Sequence, residues 1–234
     1  MPYEELKERV YRANLAIVEA GLVVLTWGNA SGVDRAAGVM AIKPSGVAYS
    51  TLRAQDIVIV SLKDGKTVDG AHRPSSDTPT HLHLYRSFDS LAGIVHTHSM
   101  YGTGFAQAKR DIPCLGTTHA DHFNGTIPVT RDMTQTEIES EYELNTGRVI
   151  VECFEKRKIN PAEVGGVLVA SHAPFAWGDS MAKAVENAIV LEYAAQMAMH
   201  SFALSPQLGD IAPALLRKHF FRKHGPGAYY GQAH

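Results

Sequence analysis

The chain has 234 residues, 45% hydrophobic and 20% charged, enough apolar content for one sizeable core. A formal net charge of −2 offers no bulk attraction to nucleic acid or an anionic membrane, and no apolar run reaches the ~18 residues of a spanning helix. The two cysteines, Cys114 and Cys153, make no disulfide framework, and Glu4 and Glu5 stand where a signal peptide carries bases, so a reduced, cytoplasmic setting is expected.

Residues 3–20 carry Leu6, Val10, Ala13, Ile17 and Val18 at helical spacing, and Gly21 stops that helix. Val23-Val24-Leu25-Thr26 reads as a strand running into a small polar loop, Trp27-Gly28-Asn29-Ala30-Ser31. Val33 to Ile42 reads as a hairpin turning at residues 34–38, and Lys43-Pro44-Ser45-Gly46 ends it with a turn rich in donors. Ile57 to Val60 is a buried strand that turns at residues 63–66 into another. Residues 74–88 open with Pro74-Ser75-Ser76-Asp77-Thr78-Pro79. Asp77 or Thr78 suits the cap of the helix that follows, and Pro79 its first turn.

Gly93 to His98 reads as a short strand, followed by a helix over residues 99–108. Gly116-Thr117-Thr118-His119-Ala120-Asp121 is a polar segment with the composition of a loop. Residues 134–157 are mostly helical, acids first and bases last in accord with the helix dipole, and Gly147 is expected to divide the run. Gly166 to His172 reads as a second buried strand ending in histidine. A long helix spans residues 180–202, and a tail runs from Ile211 to Tyr230. No repeat or linker splits the chain, so one domain over residues 1–234 is expected.

Two features carry chemistry. Strand side chains alternate, so His96 and His98 face one side and can chelate one metal ion. The other His-x-His, His81 and His83, lies on a helix, where positions i and i+2 are about 200° apart, so its rings serve packing or surface. A catalytic divalent metal wants about three protein ligands and an open position. His172 and His119 compete for the third place, and Asp77 suits a fourth. The second feature is a set of short turns at Gly28-Asn29, Lys43, Ser45-Gly46 and Ser75-Ser76, which together can offer donors to a phosphate. Metal and phosphate together suggest a small phosphorylated polyol or sugar.

The segments Thr26 to Ser31, Ile42 to Val47, Pro74 to Thr78, Gly93 to Ser99, Gly116 to Asp121, His172 to Gly178, Arg222 to Gly225 and Ala228 to Gln232 occur in this order. Together they resemble the class II aldolase/adducin-like family, and within it the sugar-phosphate 4-epimerases. The resemblance covers nearly the whole chain. It implies a single three-layer α/β domain with a central, largely antiparallel sheet flanked by helices. It implies a C4 homotetramer with active sites between neighbouring subunits, completed by the tail from about residue 211. Zinc, or manganese or another divalent ion, would be held by His96, His98 and His172 with Asp77 at the fourth position. Gly28, Asn29, Ser45, Gly46, Ser75 and Ser76 match substrate and phosphate positions, with Lys43 beside them. Asp121 and Tyr230 match the acid/base pair, and Thr117, Glu143 and His219 match supporting positions.

The implied activity interconverts L-ribulose 5-phosphate and D-xylulose 5-phosphate. Carbon 4 of that ketopentose phosphate is not next to the carbonyl, so its proton is not acidic. Inversion there proceeds instead by taking the C4 hydroxyl proton, breaking C3–C4, rotating the aldehyde and re-forming the bond, with a metal as Lewis acid. A proton acceptor on one face and a donor on the other suit Asp121 and Tyr230. Met100, Tyr101, His122 and Asn124 depart from the pattern of such relatives and bear on substrate more than on reaction type. A class II sugar-phosphate aldolase is the nearest alternative, but a glutamate base is more usual there at the position of Asp77. A non-catalytic adducin-like interaction module would have lost the histidines, and a zinc hydrolase would carry a further Asp and His beyond the pair.

Overall fold

The computed structural model describes residues 3–225 and 227–229. Helix α1 (Glu4–Glu19) buries Leu6, Val10, Ala13 and Ile17 along the stripe the sequence predicts. The expected strand over residues 23–26 does not form. Val24 and Leu25 are exposed, and the first strand starts at Gly28, inside the stretch read as a loop.

Seven strands make one sheet in the order β4-β3-β2-β1-β5-β7-β6. They are β1 (Gly28–Asp34), β2 (Val39–Ile42), β3 (Val58–Ser61), β4 (Thr67–Asp69), β5 (Gly93–Thr97), β6 (Gly166–Leu168) and β7 (Pro174–Gly178). Every pairing between them is antiparallel. The predicted hairpin is β1–β2, with Asp34 opposite Val39 across its turn. The predicted strand 166–172 stops at Leu168, so His172 stands in the turn between β6 and β7.

Alternation along the strands sorts the core onto two faces. Met40, Ile42, Val58, Val60, Ile94, Phe175 and Trp177 pack with Leu84, Tyr85, Ile150 and Phe154, from helices α2 (Thr78–Ser87) and α6 (Tyr142–Arg157). Ala30, Val95 and Ala176 pack under α1 and the first half of α7 (Met181–Leu204). Val39, Ala41, Ile57 and Ile59 extend that second layer. The result is a three-layer domain with helices on both sheet faces, as the resemblance implied.

The remaining helices are α3 (Met100–Gln107), α4 (Thr117–Ala120), α5 (Gln135–Glu139) and α8 (Pro213–Lys223). Thr117 to Ala120 is thus a helical turn, where composition suggested a loop. The run 134–157 divides at residues 140–141, between α5 and α6, and not at Gly147. Gly147 instead lets α6 lie close to α2, since a Cβ there would meet the His83 Cβ at 3.0 Å.

Candidate metal centre and phosphate pocket

β5 delivers His96 on the sheet face of Ile94, and the chain carries His98 just past the strand end. The β6–β7 turn brings His172 to meet them, with Ser171 in the left-handed region at φ 61°. The three rings form a near-equilateral triangle with centroid separations of 5.0, 5.0 and 5.1 Å. One ligand-type nitrogen from each lies within 4.8 Å of the others, the one such His/Cys/Asp/Glu group among the described residues. His172, not His119, takes the third place. The His119 Nε2 is spent on the Gly125 carbonyl at 2.8 Å.

Hydrogen bonding and burial prepare the rings as nitrogen donors. His96 Nδ1 donates to the Pro174 carbonyl at 3.0 Å, which leaves Nε2 with its lone pair, and the ring stacks on Phe175 at 4.1 Å. Burial, then the neighbouring His96, lowers the pKa of His98. Burial, His96 and His98 push His172 down to about 4. His172 Nδ1 is buried and has no hydrogen-bond partner.

Asp77 stands beside the triangle at the start of α2. It occupies the N-cap position, but its carboxylate does not cap the helix. Its Oδ2 accepts from Asn29 Nδ2 at 2.6 Å. Burial raises its pKa, but the electrostatic influence of the neighbouring His96 and His81 rings and the Asn29 hydrogen bond outweigh this and hold the carboxyl below its ordinary range. The other His-x-His separates as helical geometry requires. His81 is buried with Nδ1 2.7 Å from the Ser31 Oγ, while His83 lies against α6.

A pocket of about 420 Å³ opens over the triangle. Gly28, Asn29, Lys43, Ser45, Gly46, Ser75, Ser76, Asp77, His96, His98 and His172 all line it, joined by Thr26, Trp27 and Pro44. Gly28 has φ 111°, and a Cβ there would meet the His96 carbonyl oxygen at 2.7 Å, so only glycine fits this approach of β1 to β5. The two serine turns are stitched together. Ser45 N donates to the Arg73 carbonyl and Ser75 N to the Lys43 carbonyl, both at 3.0 Å. Ser45, Gly46 and Ser76 are exposed toward the pocket mouth. Lys43 has a different task from theirs. Its buried Nζ donates to the Val47 carbonyl at 2.7 Å and sits 4.6 Å over the Tyr49 ring, which clamps the turn.

The other predicted residues gather elsewhere in the chain. Thr117 opens α4, and Asp121 follows its end. Asp121 accepts from His219 Nδ1 at 3.0 Å and from Arg222 Nε and Nη2 at 3.0 and 2.7 Å, all on α8. Neither Asp121, Thr117 nor His219 lines the histidine pocket. Glu143 lies in the first turn of α6, and its carbonyl accepts from Thr80 Oγ1. Tyr230 lies outside the described residues. Two neighbours of the site escaped the sequence reading. Trp27 lies 6.5 Å ring to ring from His98, and Tyr142 lies 6.3 Å from His172. Each adjoins a residue that was singled out, Gly28 and Glu143, and that adjacency was the available signal.

Residues 8–199 match the family described as Class II Aldolase and Adducin N-terminal domain. The chain belongs to the class II aldolase/adducin family. Solved structures with the same fold include L-fuculose 1-phosphate aldolase, with TM-score 0.77 and 24% identity over 92% of this chain and 94% of that one. L-fuculose 1-phosphate aldolase from Glaciozyma antarctica PI12 superposes with TM-score 0.76 and 17% identity, covering 96% and 84% of the two chains. Sugar-phosphate aldolase from Thermotoga maritima gives 0.65 and 20% identity, covering 86% and 96%. Class II aldolases typically depend on a divalent metal, and the imidazole triangle with its unpartnered His172 nitrogen fits one. No helix among the described residues is long and apolar enough to cross a membrane.

Proposed function

We propose that this class II aldolase-family chain is a metal-dependent 4-epimerase interconverting L-ribulose 5-phosphate and D-xylulose 5-phosphate. The observation that carries the reading is one pocket holding both the imidazole triangle and the paired serine turns. A sugar phosphate offers two hard oxygens at one end and a dianion at the other, and these two features suit its two ends. His96, His98 and His172, with Asp77 beside them, would hold the divalent ion, which we take to be zinc. When bound, that ion supplies Lewis acidity toward the carbonyl and hydroxyl oxygens of the ketose.

The chain's own groups do the rest. Ser45, Ser75 and Ser76 bind phosphate through their hydroxyls and Gly46 and Ser76 through their N–H groups, while the Ser45 and Ser75 N–H groups and Lys43 hold the turns in shape. Gly28 and Asn29 place backbone and amide beside the ketose. Asp77 is tethered by Asn29 and kept ionised, which suits a ligand and charge partner more than a mobile base. This favours epimerisation over simple aldol cleavage, since the proton must then be moved by other residues. We assign that transfer to Asp121 and Tyr230, one on each face of the rotating aldehyde, with Thr117, Glu143 and His219 in support. Asp121 stands apart from the triangle within one chain, so the reading places it in the pocket of a neighbouring copy, in a fourfold tetramer. The buried free thiols Cys114 and Cys153 accord with a cytoplasmic setting.

The test is a coupled assay of L-ribulose 5-phosphate turnover, with and without a chelator. Formation of D-xylulose 5-phosphate that stops on chelation is the expected result. Stoichiometric release of glycolaldehyde phosphate without any D-xylulose 5-phosphate would make the protein an aldolase instead.

A further inference from the structure

The segment before β1 is built against its own hydrophobicity. Val24, Leu25 and Trp27 are 56%, 75% and 53% exposed. Leu25 adopts φ 56°, a left-handed conformation unfavourable for a branched side chain. A turn holds the segment outward, with Trp27 N donating to the Val24 carbonyl at 3.1 Å. Joining the sheet would have hidden these side chains and relieved Leu25. The chain instead sets an indole at the pocket mouth, 6.5 Å from the His98 ring. Among the described residues Trp27 is the one large apolar side chain on an otherwise polar wall.

Epimerisation through bond cleavage creates a need that this wall does not otherwise meet. A base takes the proton of the C4 hydroxyl, and the C4 carbonyl forms. The C3–C4 electron pair moves into the C2–C3 bond, and the C2 carbonyl pair moves onto its oxygen. The sugar is then two molecules, the enediolate of dihydroxyacetone and glycolaldehyde phosphate. The aldehyde must rotate without leaving. If it escapes, the enediolate takes a proton at C3, and the net result is dihydroxyacetone plus glycolaldehyde phosphate. Serine donors hold the phosphate but offer nothing to the C–H surface that must turn. An indole face does, while excluding water.

We propose that Trp27 lies over the carbon chain of the bound sugar phosphate and retains the cleaved aldehyde for re-addition, a specificity role that rests on the epimerase reading above. The experiment compares the assembled, metal-loaded wild type with Trp27→Ala and Trp27→Phe. Each is given L-ribulose 5-phosphate, D-xylulose 5-phosphate formation is followed, and escaped aldehyde is trapped with a hydrazine. Trp27→Ala should raise the ratio of released aldehyde to epimerised product by about tenfold or more, with Trp27→Phe between it and the wild type. Acrylamide quenching gives a second readout, because the only other tryptophan, Trp177, is 1% exposed. Adding the equilibrated sugar-phosphate mixture should protect the Trp27 emission. An unchanged release ratio in Trp27→Ala beside an epimerising wild type overturns the retention role and leaves the epimerase reading standing. A change of oligomeric mass in Trp27→Ala makes Trp27 an intersubunit contact and overturns the role as well. A wild type that does not epimerise overturns both.

Discussion

Asn29 Nδ2 donates to Asp77 Oδ2 at 2.6 Å and thereby ties a central strand to the first turn of α2. The same amide lies 3.2 Å from the Ser75 Oγ, and Asn29 is paired with His96 across β1 and β5. One side chain thus adjoins the imidazole triangle, the Asp77 carboxylate and the Ser75 hydroxyl. Asn29→Ala should leave the sheet intact and free Asp77 to swing. Outer-shell partners of metal ligands typically contribute 10–100-fold in affinity, so zinc binding should weaken by about that much. Isothermal titration of the apo protein measures it. An unchanged Kd would show that the α2 backbone alone aims Asp77.

His98 sits past the end of β5 and is half-buried, so it can be removed at little cost to the core. His98→Ala leaves two imidazoles where a catalytic site wants about three protein ligands. Elemental analysis of the purified variant should find less than about a tenth of the wild-type metal, a loss of the tenfold kind that each ~1.4 kcal/mol of affinity brings. A full complement in the variant would mean that His96, His172 and Asp77 suffice.

What was legible in the sequence is what local pattern controls. The apolar stripe of α1, the β1–β2 hairpin and the closeness of His96 and His98 at the end of β5 all follow from periodicity and turn chemistry. The start of β1 was not legible, because its residues become strand-like only through partners far away. Ser31 reads as a loop residue, yet its Oγ lies 2.7 Å from His81 Nδ1 and 2.9 Å from the Tyr85 hydroxyl. Ala30 bonds through its own N–H to the Asn14 side chain at 2.9 Å. Conversely Val23-Val24-Leu25-Thr26 has strand propensity, yet the turn closed by Trp27 N on the Val24 carbonyl carries it away from the sheet. Gly147 misled for the same reason, as its purpose is the α2–α6 approach and not a helix end. At the site, the His96/His98 pair at the end of β5 was local, but the arrival of His172 depends on a turn between two strands. The separation of Asp121 from the triangle depends on where α4 and α8 dock.

His119 supplies a pH test of the core. It is 4% exposed, and burial pushes its pKa down to about 4, although the Gly125 carbonyl pulls the other way. The unfolded chain takes up this proton near pH 6.5, so it binds more protons than the folded chain between about pH 6.5 and pH 4. Stability therefore falls as pH drops through that window. His81, pushed down to about 3, acts with the same sign. His119→Gln keeps an Nε2 donor for Gly125 but cannot titrate. In urea unfolding, the wild type should lose about 2 kcal/mol more than the variant between pH 7 and pH 5. Equal losses would mean that His119 is protonated without being exposed.

Asp121 is the last and most exacting case, because it serves the fold and, on the present reading, the chemistry. Burial raises its pKa, but Arg222 and His219 bond its oxygens and Lys223 adds charge at 3.6 Å, so the carboxyl stays below its ordinary range. It is therefore an ionised acceptor at neutral pH and also the anion on which α8 docks. Asp121→Asn removes the charge and leaves three basic groups facing a neutral amide. Turnover should fall by about 10²-fold or more, the usual contribution of a general base, while the metal complement stays full. Thermal stability should fall too, and its dependence on salt should shrink, since Asp121 holds α8 through ion pairs with Arg222 and Lys223. Turnover, bound metal and salt-dependent melting of the one variant separate the two roles. Loss of stability with turnover retained would make Asp121 the anchor of α8 alone and move the proton acceptor to another residue.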